Sequence, residues 1–283
     1  MVLALAGNLG AAVPAHTAEA PEPISPVPAP PTTDPLRTAL GEALFQDPRL
    51  SGDGRRTCAT CHDLSTNGAS ARKRDLAPDG RDLALNTNTV FNAALSFRQD
   101  WAGQERTLED QAQVSLSRPD VIGTSPAAAA ARIADAPAML DALVTFERTL
   151  LTPDARFDRW LAGDATALSS EELEGYCVFK AVGCAACHQG VNVGGNLFQV
   201  HGLFMQVGTA EPRILRVPSL RNVAATPPYF HNGSAPDLKD AIQTMAAAQL
   251  GRDLPEAQVT VISAFLRTLT GEFRGHPVTQ PAP

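Results

Sequence analysis

Cys58-Ala59-Thr60-Cys61-His62 and Cys184-Ala185-Ala186-Cys187-His188 decide how the rest of the chain folds. Cys-x-x-Cys-His is the attachment pattern of c-type haem: two thioethers fix one edge of the porphyrin, and the adjacent imidazole turns onto the iron. A four-cysteine zinc site would need both turns to meet, and would leave the repeated His62 and His188 unexplained. A dithiol redox pair would need a βαβ context, which the sequence lacks. Two copies therefore predict two haem c groups, held by Cys58, Cys61 and His62 and by Cys184, Cys187 and His188. The fifth thiol, Cys177, matches Ala43 and reads as a small buried apolar residue.

Outward from these motifs the chain repeats itself. Gly41 and Phe45 precede the first motif at the spacing with which Gly175 and Phe179 precede the second. Downstream, Phe146-Glu147-Arg148-Thr149-Leu150 matches Phe265-Leu266-Arg267-Thr268-Leu269. Each half reads helix, CxxCH, a long variable stretch and a closing helix. Ser169 with Glu172 forms a capping-box pattern, and Ser125-Pro126 opens an alanine-rich helix. Pro255 suits a first helical position, and Gly271 suits a left-handed cap at the end of the closing helix. Met139, Leu143, Phe146 and Leu150 share one helical face, as do Ile262, Phe265 and Leu269. The expected fold class is mainly α: two cytochrome c-like domains, 36–165 and 166–283, each enclosing one covalently bound haem. Only 5% of residues are aromatic, so two such domains need something else flat and apolar to pack around.

Composition narrows the rest. The chain has 283 residues, 44% hydrophobic and 19% charged, with 23 Lys plus Arg against 30 Asp plus Glu. A net charge of −7 argues against nucleic acid or an anionic membrane surface as partner. No apolar run reaches the roughly 18 residues that span a bilayer. Residues 1–20 read as the tail of a secretory signal: Val2 to Val13 is apolar, and Ala18-Glu19-Ala20 has the small-x-small form of a cleavage site. No positive charge precedes the apolar run. Export to the periplasm is expected, chiefly because covalent haem attachment requires it. Seven prolines between Pro21 and Pro35 read as a stiff, extended linker rather than core.

The two haems should differ. From Asp63 to Ala138 there is no His, Met, Cys or Tyr, and Lys73, read as solvated, is the one nitrogen donor in the vicinity. The first iron is therefore expected to keep an open position, the mark of a reactive haem. The second half offers His201, Met205, Tyr229, His231 and Met245. Met245 lies in the stretch before the closing helix where small cytochromes c place their methionine, with Met205 in reserve. A thioether ligand raises the reduction potential and suits electron uptake.

With these residues in view, the chain resembles the bacterial di-haem cytochrome c peroxidases and their MauG-type relatives, which oxidise protein tryptophans. The resemblance runs from Leu36 to Gly271. It rests on both CxxCH motifs, on Leu44-Phe45-Gln46-Asp47-Pro48-Arg49-Leu50-Ser51, Thr89-Val90-Phe91-Asn92 and Phe157-Asp158-Arg159-Trp160-Leu161, and on the glycine-rich run from Gly190 to Gly195. Most specific is Val217-Pro218-Ser219-Leu220-Arg221-Asn222-Val223-Ala224, continued by Pro228-Tyr229-Phe230-His231 and by Met245 with Ala248-Gln249-Leu250-Gly251. It implies that Trp101 relays electrons between the haems and that Gln111 is the glutamine above the reactive haem. It implies Met245 as axial ligand of the electron-accepting haem, a position that is tyrosine in MauG-type enzymes. Asn86, Thr226 and Pro228 match the positions that hold a calcium ion between the domains, through oxygen ligands of the kind calcium prefers.

Two departures stand out. The peroxidases carry a distal histidine in the stretch matching Leu76–Asp82, and here there is none. Their distal glutamate falls at Val121, with Asp120 the neighbouring substitute and Asp110 and Glu109 further candidates. The resemblance implies a periplasmic oxidoreductase that reduces hydrogen peroxide to water with electrons from a small cytochrome c or cupredoxin. Relatives are commonly homodimers. The alternatives are a MauG-type enzyme acting on a partner's tryptophan and a non-catalytic electron-transfer or peroxide-sensing cytochrome.

Overall fold

The computed structural model describes residues 22–133 and 138–281. The expected signal-like segment lies outside the described residues. Eight helices carry the described fold: α1 (Pro35–Phe45), α2 (Leu108–Ser117), α3 (Pro126–Ala130), α4 (Met139–Glu147), α5 (Arg156–Leu161), α6 (Ser170–Val182), α7 (Leu238–Leu250) and α8 (Glu256–Arg267). Two small antiparallel pairs complete it, β1 (Phe198–Val200) with β2 (Ile214–Arg216) and β3 (Glu272–Phe273) with β4 (His276–Pro277). Phe198 pairs with Arg216 and Val200 with Ile214.

Each half is built on one crossing of two helices. α1 crosses α4 with Gly41 at the contact, and a Cβ there would stand 2.0 Å from the Ala142 carbonyl oxygen. α6 crosses α8 with Gly175 at the contact, 1.9 Å from the Val261 carbonyl oxygen. Only a residue without a side chain lets the backbones approach so closely. Phe45 packs on Phe146 with ring centroids 5.6 Å apart, and Phe179 packs on Phe265 at 5.2 Å. The mainly helical class and its two-fold repeat hold.

The capping expectations are met at Ser125, whose hydroxyl accepts from Ala128 N, and at Ser169, which exchanges bonds with Glu172. Pro255 is the N-cap of α8 rather than its first residue. Gly271 is not a left-handed cap, because α8 ends at Arg267. It is glycine for a steric reason: a Cβ would meet the Thr152 carbonyl oxygen at 2.1 Å. Cys177 is exposed on the outer face of α6, not buried as expected.

The halves exchange segments. The proline-rich stretch is extended, but it is docked and not a free linker: Ile24 and Val27 are buried. Pro23 accepts from Gly190 N and Ser25 from Arg221 Nη2. Arg221 lies in the core of the second half, ion-paired to Asp158 of α5 at 2.7 Å. Phe157 and Trp160, expected in the first domain, also pack there, against Tyr176 and Phe265. In return Phe273 packs on Phe91, and Val278 joins the core of the first half. Among the described residues no helix is long and apolar enough to cross a membrane.

Candidate functional site

Both CxxCH motifs form a single 3-10 turn in which the histidine N–H closes back on the first cysteine, His62 to Cys58 O and His188 to Cys184 O, each at 3.0 Å. That turn brings both sulfurs and the imidazole to one side of the backbone. The Nδ1 atom of His62 lies 3.1 Å from the Gly68 carbonyl, and that of His188 lies 3.2 Å from the Val193 carbonyl. A carbonyl can only accept, so Nδ1 carries the proton and Nε2 keeps the lone pair that binds metal. Val193 holds its carbonyl in place at φ +49°, an unfavourable conformation for a β-branched residue, costing on the order of 1–3 kcal/mol. Burial lowers the affinity of both imidazoles for a second proton, His188 down to about 4, so both stay in the ligating form.

Three of the thiols are shielded as well. Burial first, then the Glu147 charge, pushes Cys58 up to about 12; burial, then Asp75, raises Cys61 to about 12. Burial raises Cys184 to about 11. All the motif residues except Ala59, Ala185 and Ala186 line one continuous cavity of about 500 Å³ shared by the two halves. Two thiols, one imidazole with a free Nε2 and a largely apolar wall in each half form the donor set that a thioether-linked haem needs.

From Asn92 to Ser115 the first half keeps step with the second from Asn222 to Met245. Asn92 and Asn222 are both left-handed, at φ 61° and 60°, and donate their N–H groups to Leu150 O and Leu269 O. Thr107 caps α2 and Asp237 caps α7, each accepting from the third helical residue at φ near −130° (−132° and −131°). Eight residues beyond their caps stand Ser115 and Met245, both facing the cavity. The first pocket thus presents a hydroxyl at the position where the second presents a thioether. Sequence comparison of the halves missed this, because loops of unequal length on either side break the register.

By the same register Trp101 corresponds to His231, and the two meet edge-to-face at 6.2 Å. Each follows a residue with positive φ, Asp100 at 70° and Phe230 at 71°. Trp101 is 8% exposed and donates Nε1–H to Asn86 O at 2.8 Å, while Asn86 N donates to His231 O at 2.7 Å. The tryptophan is therefore clamped at the seam between the halves, on the wall of the shared cavity.

Over the first pocket, Gln111 faces the cavity and donates to Ser115 Oγ at 2.8 Å. Asp120 does not line the cavity. Its carboxylate is bound to Arg118 at 2.6 Å, which holds it below the usual carboxylate range. Asp110 is exposed and Glu109 is paired with Arg148, so neither reaches the pocket. The cavity's acidic lining residues are Asp100 and Glu147. Leu76 to Asp82 closes as a tight surface hairpin, with Ala77 N donating to Arg81 O at 2.7 Å, and sends nothing into the cavity. Lys73 is exposed.

Around the second pocket Met245, Tyr229, His231 and His201 face the cavity. Met205 is 48% exposed and outside it, which removes the reserve ligand. The ring nitrogens of His201 are buried without partners among the described residues, and the ring lies 4.7 Å from that of His231.

The family model for di-haem cytochrome c peroxidase matches residues 35–139, and that for cytochrome c matches 173–270. The cytochrome c551 peroxidase of Nitrosomonas europaea is 35% identical over 89% of this chain and 85% of its own length. The chain belongs to the bacterial di-haem cytochrome c peroxidase family. The Escherichia coli cytochrome c peroxidase Ccp is 37% identical over 89% of this chain, which spans 62% of that relative's length. The crystal structure of a MauG-like protein associated with microbial copper homeostasis superimposes with a TM-score of 0.71 at 25% identity, covering 89% of this chain and 93% of that one. Membership of this family implies two haem c groups, and the two donor sets described above fit them.

Proposed function

We propose that the protein reduces hydrogen peroxide to water, taking two electrons from a small periplasmic cytochrome c or cupredoxin together with two protons. The observation that carries this reading is the exchange of Met245 for Ser115 between equivalent helices. The haem groups supply the one-electron chemistry, and this exchange makes their surroundings unequal. A serine hydroxyl is a weak donor to iron, so a haem held by Cys58, Cys61 and His62 would leave room for peroxide in the first pocket. His188 and Met245 would hold the second haem, where a thioether ligand would favour electron uptake. Trp101, fixed on Asn86 and packed on His231, stands on the route between them.

In the first pocket the Gln111 amide and the Ser115 hydroxyl form a polar pair on an otherwise apolar helix face. Gln111 can orient the peroxide oxygens by hydrogen bonding. Asp120 would reach the pocket only by leaving Arg118, so its part in proton delivery requires that ion pair to open. Calcium belongs to the same reading. Asn86 spends its amide hydrogens on Arg72 O and Lys73 O, leaving Oδ1 unbonded, and the Thr226 and Pro228 carbonyls accept nothing among the described residues. Three oxygens without donors, on residues that line the same cavity, are of the kind a hard cation takes. Export and a homodimer complete the proposal.

The test is peroxide consumption with a reduced small cytochrome c as donor. Replacing Met245 by a non-ligand such as alanine should slow donor oxidation at least tenfold while leaving peroxide binding at the first haem intact. Unchanged turnover would remove the electron-entry role. The missing pocket carboxylate at Asp120 favours a second reading, a MauG-type oxidation of a partner's tryptophan, against which Met245 stands. Mass spectrometry of candidate partners after peroxide treatment separates the two. Six-coordinate low-spin iron at both haems in the resting protein would instead mark a non-catalytic electron carrier.

A further inference from the structure

The closing helices carry a second inequality between the halves. Phe146 and Phe265 occupy equivalent core positions, and the residues that follow them are Glu147 and Leu266. Both line the cavity. Where the second haem pocket has an aliphatic wall, the first has a carboxyl beside Cys58. We propose that Glu147 is a tuning residue of the first haem: when ionised, its negative charge favours the oxidised iron and lowers that haem's potential.

The surroundings leave this charge uncompensated. The Glu147 carboxyl makes no hydrogen bond or ion pair among the described residues. From α2 the nearest charge is Glu109, engaged by the neighbouring Arg148. From α1, Arg37 is paired with Asp141 and Glu42 with Arg274 of the β3–β4 turn. The attachment turn contributes the Cys58 and Cys61 thiols, with Arg56 on the cavity wall before it. Burial first, and then the Glu109 charge, pushes Glu147 up to about 8. A charge in such a low-dielectric wall acts on its neighbours far more strongly than one in water.

Reduction of the first iron takes one electron from the mediator. At a pH where Glu147 is protonated in both iron states, no proton moves. Where reduction raises its proton affinity across the ambient pH, the carboxylate takes one proton from solvent with the electron. The potential should therefore fall as pH rises through this range and level off when the carboxylate persists in both states.

The experiment is a mediated spectroelectrochemical titration of both haems in the holoprotein at pH 6 and pH 10. At pH 10, Glu147→Gln should raise the first haem's reduction equilibrium about tenfold, which is about 59 mV for one electron. At pH 6 the difference should shrink, and the second haem should not move at either pH. Leu266→Glu should lower the second haem's potential at pH 10. A first haem with the parent potential in Glu147→Gln at both pH values would overturn the proposal, as would equal shifts at both haems. Glu147→Gln is nearly isosteric, and an unchanged resting spin state confirms that the pocket is intact. The proposal rests on haem attachment alone, so it stands or falls independently of peroxide turnover.

Discussion

Ser115 carries more chemical consequence than its side chain suggests, because it stands where the other half places Met245. A hydroxyl at that point serves Gln111 as hydrogen-bond acceptor and, on the proposed function, would not compete with peroxide for the iron. Ser115→Met should then build the ligand set of the second pocket in the first. Resting electron paramagnetic resonance of this variant should show two low-spin haems, and its reaction with peroxide should slow at least a hundredfold. A first haem that stays high-spin would break the correspondence between α2 and α7. Ser115→Ala, which cannot ligate, should keep the high-spin signal and lose only the orientation of Gln111. This residue could not be found from the sequence: serine is common on helix surfaces, and its equivalence to Met245 depends on caps and left-handed turns.

At the scale of elements, the helix crossings were legible because their requirements are local. Gly41 with Phe45 and Gly175 with Phe179 announce a close crossing, and the aliphatic faces of α4 and α8 announce its partner. The same legibility makes them testable. Gly41→Ala forces the α1–α4 crossing apart, since its Cβ would lie 2.0 Å from a carbonyl oxygen that cannot swing away. A destabilisation on the order of 1–3 kcal/mol is expected from such overpacking. Gly175→Ala should cost as much at the α6–α8 crossing. Thermal unfolding followed at each haem's own absorbance should show the first variant loosening the first haem sooner and the second variant the second. Gly271 was misread because its small size answers a carbonyl approaching from Thr152, far away in sequence. The Asp120 ion pair was not legible for a similar reason: adjacency to Val121 says nothing about Arg118, which claims its carboxylate.

The molecule as a whole is more interlaced than two beads on a string. Thr152 Oγ accepts from Asn92 at 2.7 Å and from Asn222 at 2.9 Å, and Asn192 donates to Asn92 O at 3.0 Å, so the seam is held by buried hydrogen bonds from both halves. Buried polar groups of this kind tolerate little relative movement, because each lost partner leaves an unsatisfied group. The residues beyond Gly271 run back onto the first half, where Phe273 meets Phe91, Arg274 pairs with Glu42 and Val278 is buried. A chain ending at Gly271 keeps both haem motifs, both crossings and Met245. It gives up the burial of Val278 and part of Phe273, each on the order of 1.5–3 kcal/mol when complete. The ion pair, being partly exposed, adds little. Because these contacts fall on the first half, with Gln280 donating to Ala224 O the exception, the truncated chain should lose order around the first haem more than around the second. Equal loosening of both haems would mean that the seam transmits the loss. An unperturbed first haem would mean that the α1–α4 crossing sustains its pocket unaided.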